Sequence, residues 1–274
     1  MLRTIFTLII SLFLMPMSAQ IGKLFDTDNQ LSSNFANQVL QDKRGFIWIA
    51  TRNGLNRYDG YNFTVMNSTD KNGNNINNYV NCMGQDHEGN IYLGTNNNLF
   101  IYDGYEFRKI PMLVNGKEIT TYIQYIYTRN NGDVLVCTSG FGLLRVIDKN
   151  KAESIGGVID QYKYINFTFE DHNDRLWMVC SDGDVLRQET SGKVTIHVPG
   201  TAGLQIREIA EDRQGNIYVA TLRQGLFVMA PQTDRFTHVA GTAGLAINNI
   251  YIAHNDNIYI GCNGEGLYVY EPAT

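Results

Sequence analysis

An all-β fold, a β-propeller of four-stranded antiparallel blades, is predicted by three observations. A short apolar phrase recurs six times, its copies are almost evenly spaced, and turn residues bound every strand. The large central residue of the phrase falls at Trp48, Tyr92, Leu135, Trp177, Tyr218 and Tyr259, at intervals of 44, 43, 42, 41 and 41 residues. A period in the low forties built from short strands is the signature of one propeller blade per repeat. Six blades are expected, within repeat phrases near 37–66, 80–110, 123–147, 165–198, 207–239 and 248–274.

Each element of the first unit follows from its residues. Val39 to Gln41 forms a short innermost strand, and Asp42-Lys43-Arg44-Gly45 closes a tight hairpin. The Asp side chain bonds the turn's own N–H groups, and the Gly supplies positive φ. Phe46 to Thr51 is the second strand, rich in β-branched and aromatic residues. Arg52-Asn53-Gly54 turns the chain, Leu55 to Tyr58 runs back, Asp59-Gly60 signals another hairpin, and Phe63 to Met66 is the outer strand. The first hairpin recurs as Asp86–Gly89, Arg129–Gly132, Asp171–Asp174, Asp212–Gly215 and Ala253–Asp256. Where Gly is replaced the substitute is Asp, one of the few residues tolerated at positive φ. Both faces of Ile47-Trp48-Ile49-Ala50-Thr51 are apolar, as a strand held between two neighbouring blades requires. The large aromatics are therefore read as contacts between blades.

The two ends of the chain are out of phase with the repeat. Gly22-Lys23-Leu24-Phe25 followed by Asp28-Asn29-Gln30-Leu31 resembles an outer strand and its loop, whereas Leu267 to Tyr270 is a third strand. Residues near 22–27 are therefore expected to complete the last blade and close the ring, removing its open edge. The alternative is an incomplete seven-bladed ring.

Residues 1–19 read as a signal peptide: Arg3, an apolar run from Ile5 to Leu14, and Pro16-Met17-Ser18-Ala19 before Gln20. An apolar run of about ten residues is too short to span a bilayer. Residues 20–274 form the propeller, exported to the periplasm, with no membrane span in the mature chain. With 22 basic and 27 acidic residues and no basic stripe, nucleic acid is not an expected partner. Cys137, Cys180 and Cys262 occupy the same element of different repeats and Cys82 the strand before. Such dispersed cysteines are read as buried free thiols, with a Cys137–Cys180 bridge as the pairing to check against its required Cα separation.

The run from Gln41 to Gly60, Gln-Asp-Lys-Arg-Gly-Phe-Ile-Trp-Ile-Ala-Thr-Arg-Asn-Gly-Leu-Asn-Arg-Tyr-Asp-Gly, resembles the two-component regulator propeller repeat. Residues 85–107 resemble it again, ending Tyr102-Asp103-Gly104-Tyr105-Glu106-Phe107, and four further copies follow in phase. The resemblance implies the periplasmic sensor region of a hybrid two-component sensor histidine kinase of Bacteroidetes type, many of which respond to glycans. Kinase activity would lie outside these residues.

The residues carry little sign of catalysis. His87, His172 and His254 fall in first-hairpin turns, and His197 and His238 in outer strands, so none converges with another as a metal site or general base requires. No phosphate loop, nucleophile elbow or zinc spacing is present. No catalytic residue, metal or cofactor is assigned, and a streptogramin lyase-like enzyme is the least favoured reading. The sequons at Asn62, Asn67 and Asn166 are taken as incidental.

A binding surface is expected where the loops after the second strands meet those entering the innermost strands. The first set supplies Arg52, Asn53, Asn97 (within Asn96-Asn97-Asn98), Asp182, Arg223 and Glu265. The second supplies Asn78, Tyr79, Tyr122, Tyr162 to Tyr164, Arg207 and Asn248. Amide and guanidinium groups beside aromatic rings suit a polyhydroxylated ligand such as an oligosaccharide. The other reading is a secreted propeller docking a partner protein on its ring face.

Overall fold

The computed structural model describes residues 24–66 and 79–272; the expected signal peptide, Asn67 and Asn78 lie outside them. The turn grammar sets the architecture. Blade 1 pairs Ala36–Gln41, Ile47–Thr51, Gly54–Tyr58 and Phe63–Met66 in sequence order, all antiparallel. Blade 2 (Val80–Gln85, Ile91–Thr95, Leu99–Tyr102, Phe107–Ile110) repeats it, as do blade 4 from Ile165 to Thr195 and blade 5 from Ile206 to His238. Blade 6 has three strands among the described residues, Ile247–Ile252, Ile258–Cys262 and Gly266–Tyr270. The expected all-β, six-bladed propeller is observed.

The hairpin aspartate does more than close its turn. Asp42 Oδ1 accepts the amides of Arg44 (2.8 Å) and Phe46 (3.0 Å), while Oδ2 accepts Trp48 Nε1 at 2.9 Å. Asp171 holds Asn173, Arg175 and Trp177 Nε1 in the same way. Asp86 reaches Tyr92 Oη, and Asp212 bonds Tyr218. A carboxylate six residues before a buried aromatic thus satisfies both the turn and the aromatic's polar tip, which burial would otherwise leave costly. Blade 3 has lost both partners together: Arg129 stands at the aspartate position, and Leu135 carries no polar tip. Asp174 and Asp256 take positive φ (58° and 63°) as expected of glycine substitutes.

Successive blades meet through five apolar clusters. In the first, Trp48, Ala50 and Leu55 of blade 1 pack on Val80, Met83, Ile91 and Leu93 of blade 2. In the last, Tyr218, Ala220 and Leu226 meet Ile247, Ile250, Ile258 and Ile260. Blades 1 to 5 send the same register positions forward, and blades 2 to 6 receive them on the same others. Full burial of one such aromatic contributes about 4–6 kcal/mol gross, at 150–250 Å² and about 25 cal/mol per Å².

Three features depart from the expectation. Blade 3 (Ile123–Thr128, Val134–Thr138, Gly142–Ile147, Lys151–Ser154) gains Met112–Val114 and Lys117–Ile119, a hairpin whose first strand runs parallel to the blade's outer edge. Asn115 and Gly116, both at positive φ, make its turn. His197 lies beyond its blade's outer strand, Val194–Thr195, with its ring on Asp184. Residues 24–27 do not close the ring: Thr27–Asn29 is a 3-10 turn and Phe25 packs on Tyr58 (5.3 Å) and Phe63 (5.1 Å) of blade 1. All four cysteines are free, so Cys137 and Cys180 are not bridged; both are apolar fillers of the cluster between blades 3 and 4.

Candidate functional site

The innermost strand of every blade carries a β-bulge at the same place, next to the residue that begins its pairing with the second strand. A bulge adds one unpaired residue and re-aims its side chain. The six residues so inserted are Asn37, Asn81, Gln124, Asn166, Arg207 and Asn248. All carry amide or guanidinium groups. They sit at the end of the strands where the second-strand loops also emerge, so one polar collar surrounds the mouth of the ring.

On the side of blades 1 to 3 the collar meets aromatic side chains. The Arg52 guanidinium lies 4.3 Å from the Phe35 ring and 5.9 Å from that of Tyr79. Burial raises the phenol of Tyr122, whose ring is partly exposed, above its ordinary pKa, with neighbouring Tyr79 adding to the rise and the Arg52 guanidinium opposing it. In blade 2 the side-chain amide of Asn81 is buried at both polar atoms with no partner, as are Asn96 Oδ1 and Asn98 Oδ1. Val80 and Thr95 are paired, which sets Asn81 beside the loop carrying Asn96 and Asn98. Buried amides are nearly always satisfied in folded proteins, so a group of four open atoms marks a place made for a hydrogen-bonding visitor, water included.

On the side of blades 4 and 5 two cavities of about 400 and 450 Å³ share Cys180, Ser181 and Asp182. Asn166 and Arg207 enter the first, Tyr162, Lys163 and Tyr164 the second. Ser181 Oγ bonds Asn166 Oδ1 at 2.7 Å, and Asp182 turns back on the Asp184 amide at 3.1 Å. A third cavity, about 700 Å³, opens at the opposite end between blades 2 and 3. Both of its basic side chains are already paired, Lys149 with Glu88 and Arg145 with Asp133.

The structure sorts the residues expected at the site. Arg52, Tyr79 and Tyr122 come together, and Asp182 and Arg207 share a cavity. Asn53 is spent on the Ser32 carbonyl (3.2 Å), and the Asn97 carbonyl anchors the amide of Thr121 (3.0 Å). Arg223, Asn248 and Glu265 are exposed without joining either cluster, and Asn78 lies outside the described residues. Asn81 is the addition, beside Asn96 and Asn98 of the Asn96-Asn97-Asn98 run expected at the surface; the bulge that sets Asn81 apart is a pairing event with no composition of its own. Among the described residues no three His, Cys, Asp or Glu side chains gather as a metal site would need.

Fold and site together define a repeat β-propeller with a polar, aromatic-flanked mouth. The family model described as two component regulator propeller matches residues 30–53 and 75–97, overlapping the two copies that carry the sequence resemblance. Among solved structures the chain is similar to the extracellular domain of a protein from B. thetaiotaomicron described as a hybrid two component system. That match has 21% identity and a TM-score of 0.75, and covers 91% of this chain and 35% of that one. It is also similar to PorZ, a surface component of the type-IX secretion system of Porphyromonas gingivalis (13% identity, TM-score 0.67, 91% of this chain and 41% of that one). A third is virginiamycin B lyase from Staphylococcus aureus (12% identity, TM-score 0.66, 84% and 78%). At these identities the likeness is one of fold. The chain spans about a third of the length of the first of these structures. No curated protein matches it.

Proposed function

We propose that this chain is a ligand-sensing propeller of a two-component signalling system, working in the periplasm, and that its mouth binds an oligosaccharide. The observation that carries the reading is the group of open buried amide atoms on Asn81, Asn96 and Asn98 beside Arg52, Tyr79 and Tyr122. Sugar hydroxyls both donate and accept, as amides do, while the apolar face of a pyranose stacks on an aromatic ring. The repeat family supports the signalling role. No helix among the described residues is long and apolar enough to cross a membrane.

Calorimetry against a panel of oligosaccharides tests the proposal. Arg52→Ala combined with Tyr79→Ala is expected to weaken the best binder at least tenfold, about 1.4 kcal/mol, without lowering the melting temperature. Unchanged affinity in that variant refutes the site. A partner-docking role draws support from Tyr61 and Tyr105, which stand almost fully exposed at the same turn of blades 1 and 2. Replacing both with Ser and losing a partner in pull-down, with sugar binding intact, would favour that reading.

A further inference from the structure

One register position recurs on the rim of every blade, two residues before each bulge. From blade 1 to blade 6 it holds Phe35, Tyr79, Tyr122, Tyr164, Gln205 and Ala246. Main-chain bonding shows the equivalence, because the carbonyl at this position accepts the amide of the residue that follows the second strand. Arg52 donates to Phe35 (3.2 Å), Ser139 to Tyr122 and Ser181 to Tyr164 (2.9 Å each), and Leu222 to Gln205 and Asn263 to Ala246 (2.8 Å each). Four consecutive blades therefore carry an aromatic ring at one place on the rim, and the other two do not.

These rings are left open. Phe35, Tyr122 and Tyr164 are 59%, 41% and 55% exposed and Tyr79 is half-buried, whereas the very next residues Val80, Ile123 and Ile165 are buried in the blades. A single exposed ring needs no explanation, but a repeated row of them on one face does. The rings also span the junctions between blades. Phe35 and Tyr79 lie on the same Arg52 guanidinium, which places their centres no more than about 10 Å apart. Tyr122 comes next, within electrostatic reach of both Tyr79 and Arg52. Tyr164 leans over blade 3, its ring edge 4.0 Å from where a Cβ on Gly140 would stand, and Ser139 and Tyr164 form a β-bridge between the two blades. Two residues further into the same strands stand the bulge amides of Asn81, Gln124 and Asn166, so a polar track accompanies the aromatic one.

We propose that Phe35, Tyr79, Tyr122 and Tyr164 form one arc-shaped platform for a linear oligosaccharide, which lies along the rim from blade 1 to blade 4. Its sugar faces rest on the rings and its hydroxyls reach the bulge amides. This rests on the reading of the mouth as an oligosaccharide site, and it makes the ligand a chain longer than a disaccharide. The platform ends at blade 5, where Gln205 and then Ala246 replace the rings. An extended peptide fits less well. Strand addition needs open main-chain groups, and the rim carbonyls of Phe35, Tyr122 and Tyr164 are already bonded.

Calorimetry on the full chain reads the length of the platform, with linear malto-, cello- and xylo-oligosaccharides from disaccharide to hexasaccharide as probes. In a series that binds, affinity should rise from the disaccharide to the hexasaccharide. Tyr164→Ala, at the end of the arc away from Asn81, is expected to weaken the hexasaccharide roughly two- to tenfold and leave the disaccharide unchanged. Tyr164→Phe, which keeps the ring, should bind both as the unmodified chain does. Equal affinity at every length, with Tyr164→Ala silent, overturns the arc and leaves the compact site at Arg52, Tyr79 and Asn81 standing. Equal weakening of both lengths by Tyr164→Ala overturns it too, since Tyr164 would then belong to a site no longer than a disaccharide. Absence of binding in all three series overturns the arc and the oligosaccharide reading together.

Discussion

Replacing Asp171 by Ala is expected to cost about 3–4 kcal/mol of stability, with no effect on the mouth of the ring. Asp171 is fully buried, and its four acceptor contacts are the amides of Asn173 and Arg175 (3.0 Å each), Arg175 Nε (2.6 Å) and Trp177 Nε1 (2.8 Å). Trp177 is itself fully buried, so its indole N–H loses its only acceptor and remains away from water, at about 1–3 kcal/mol. The turn amides can rehydrate, which limits their loss to about 1 kcal/mol each. Trp177→Phe should cost less, because the carboxylate keeps its other three donors. In Asp171→Ala/Trp177→Phe no indole donor is left to be orphaned, so the double variant should be more stable than additivity predicts by at least about 1 kcal/mol. Urea unfolding followed by circular dichroism at 25 °C measures all four proteins. If Asp171→Ala costs less than about 1 kcal/mol, or the cycle closes within about 0.5 kcal/mol, the carboxylate is not the anchor of the aromatic.

Other expectations follow from single contacts. Glu208 Oε2 accepts the amide of Ile250 at 2.8 Å, and burial lifts its carboxyl above the ordinary value of 4.5 against that bond. A raised folded-state pKa means the folded state holds the proton more tightly, so this group adds stability as pH falls through that pKa, down to the ordinary value. Glu208→Gln, which reproduces the Gln38–Met83 contact between blades 1 and 2, should keep the bond, hold or raise stability at pH 7, and remove that pH-dependent gain in melting experiments. Burial raises the thiols of Cys82 and Cys137 and, with Asp182 and Asp184 nearby, pushes Cys180 up to about 12. A disulfide reagent at pH 8 should therefore label Cys262 first in the folded protein and the other three only on unfolding. Gly225 has φ 82°, and a Cβ there would sit 2.1 Å from the carbonyl oxygen of Thr242. Gly225→Ala should cost about 3 kcal/mol in urea unfolding, through backbone strain and a contact that backbone must yield to.

The sequence shows local chemistry well and pairing poorly. The outer strand Phe63–Met66 and the third strands Leu99–Tyr102 and Leu226–Met229 fall where the turn residues place them, because Asp, Asn and Gly act within four residues of themselves. The exchange of Arg129 and Leu135 for Asp and an aromatic was visible too, although its meaning needed the Trp48 and Trp177 hydrogen bonds. Asn115-Gly116 is a hairpin signal that the forty-residue period overshadowed, since the repeat has no place for an extra hairpin. Closure of the ring by residues 22–27 rested on phase alone, which says which strand is missing but not which surface binds hardest. Of the site, Arg52, Tyr79 and Tyr122 could be foreseen as loop residues of fitting chemistry. Asn81 could not, because one register slip decides whether it packs inside a blade or is left open.

The recurring bulge has a consequence for how such a ring changes over evolutionary time. Each inserted residue stands outside the alternation that fills the blades, so substituting Gln124, Arg207 or Asn248 alters the opening while the packed alternation stays in place, whereas Asn37 is tied to blade 2 by its bond to the Val80 carbonyl at 2.7 Å. Positions surrounding a single aperture are in this way freed from the constraints that the forty-residue period imposes on nearly every other strand residue. A lineage could exchange one recognised molecule for another in single steps, each tolerated by the scaffold, while the Asp-to-aromatic anchors beneath remain untouched.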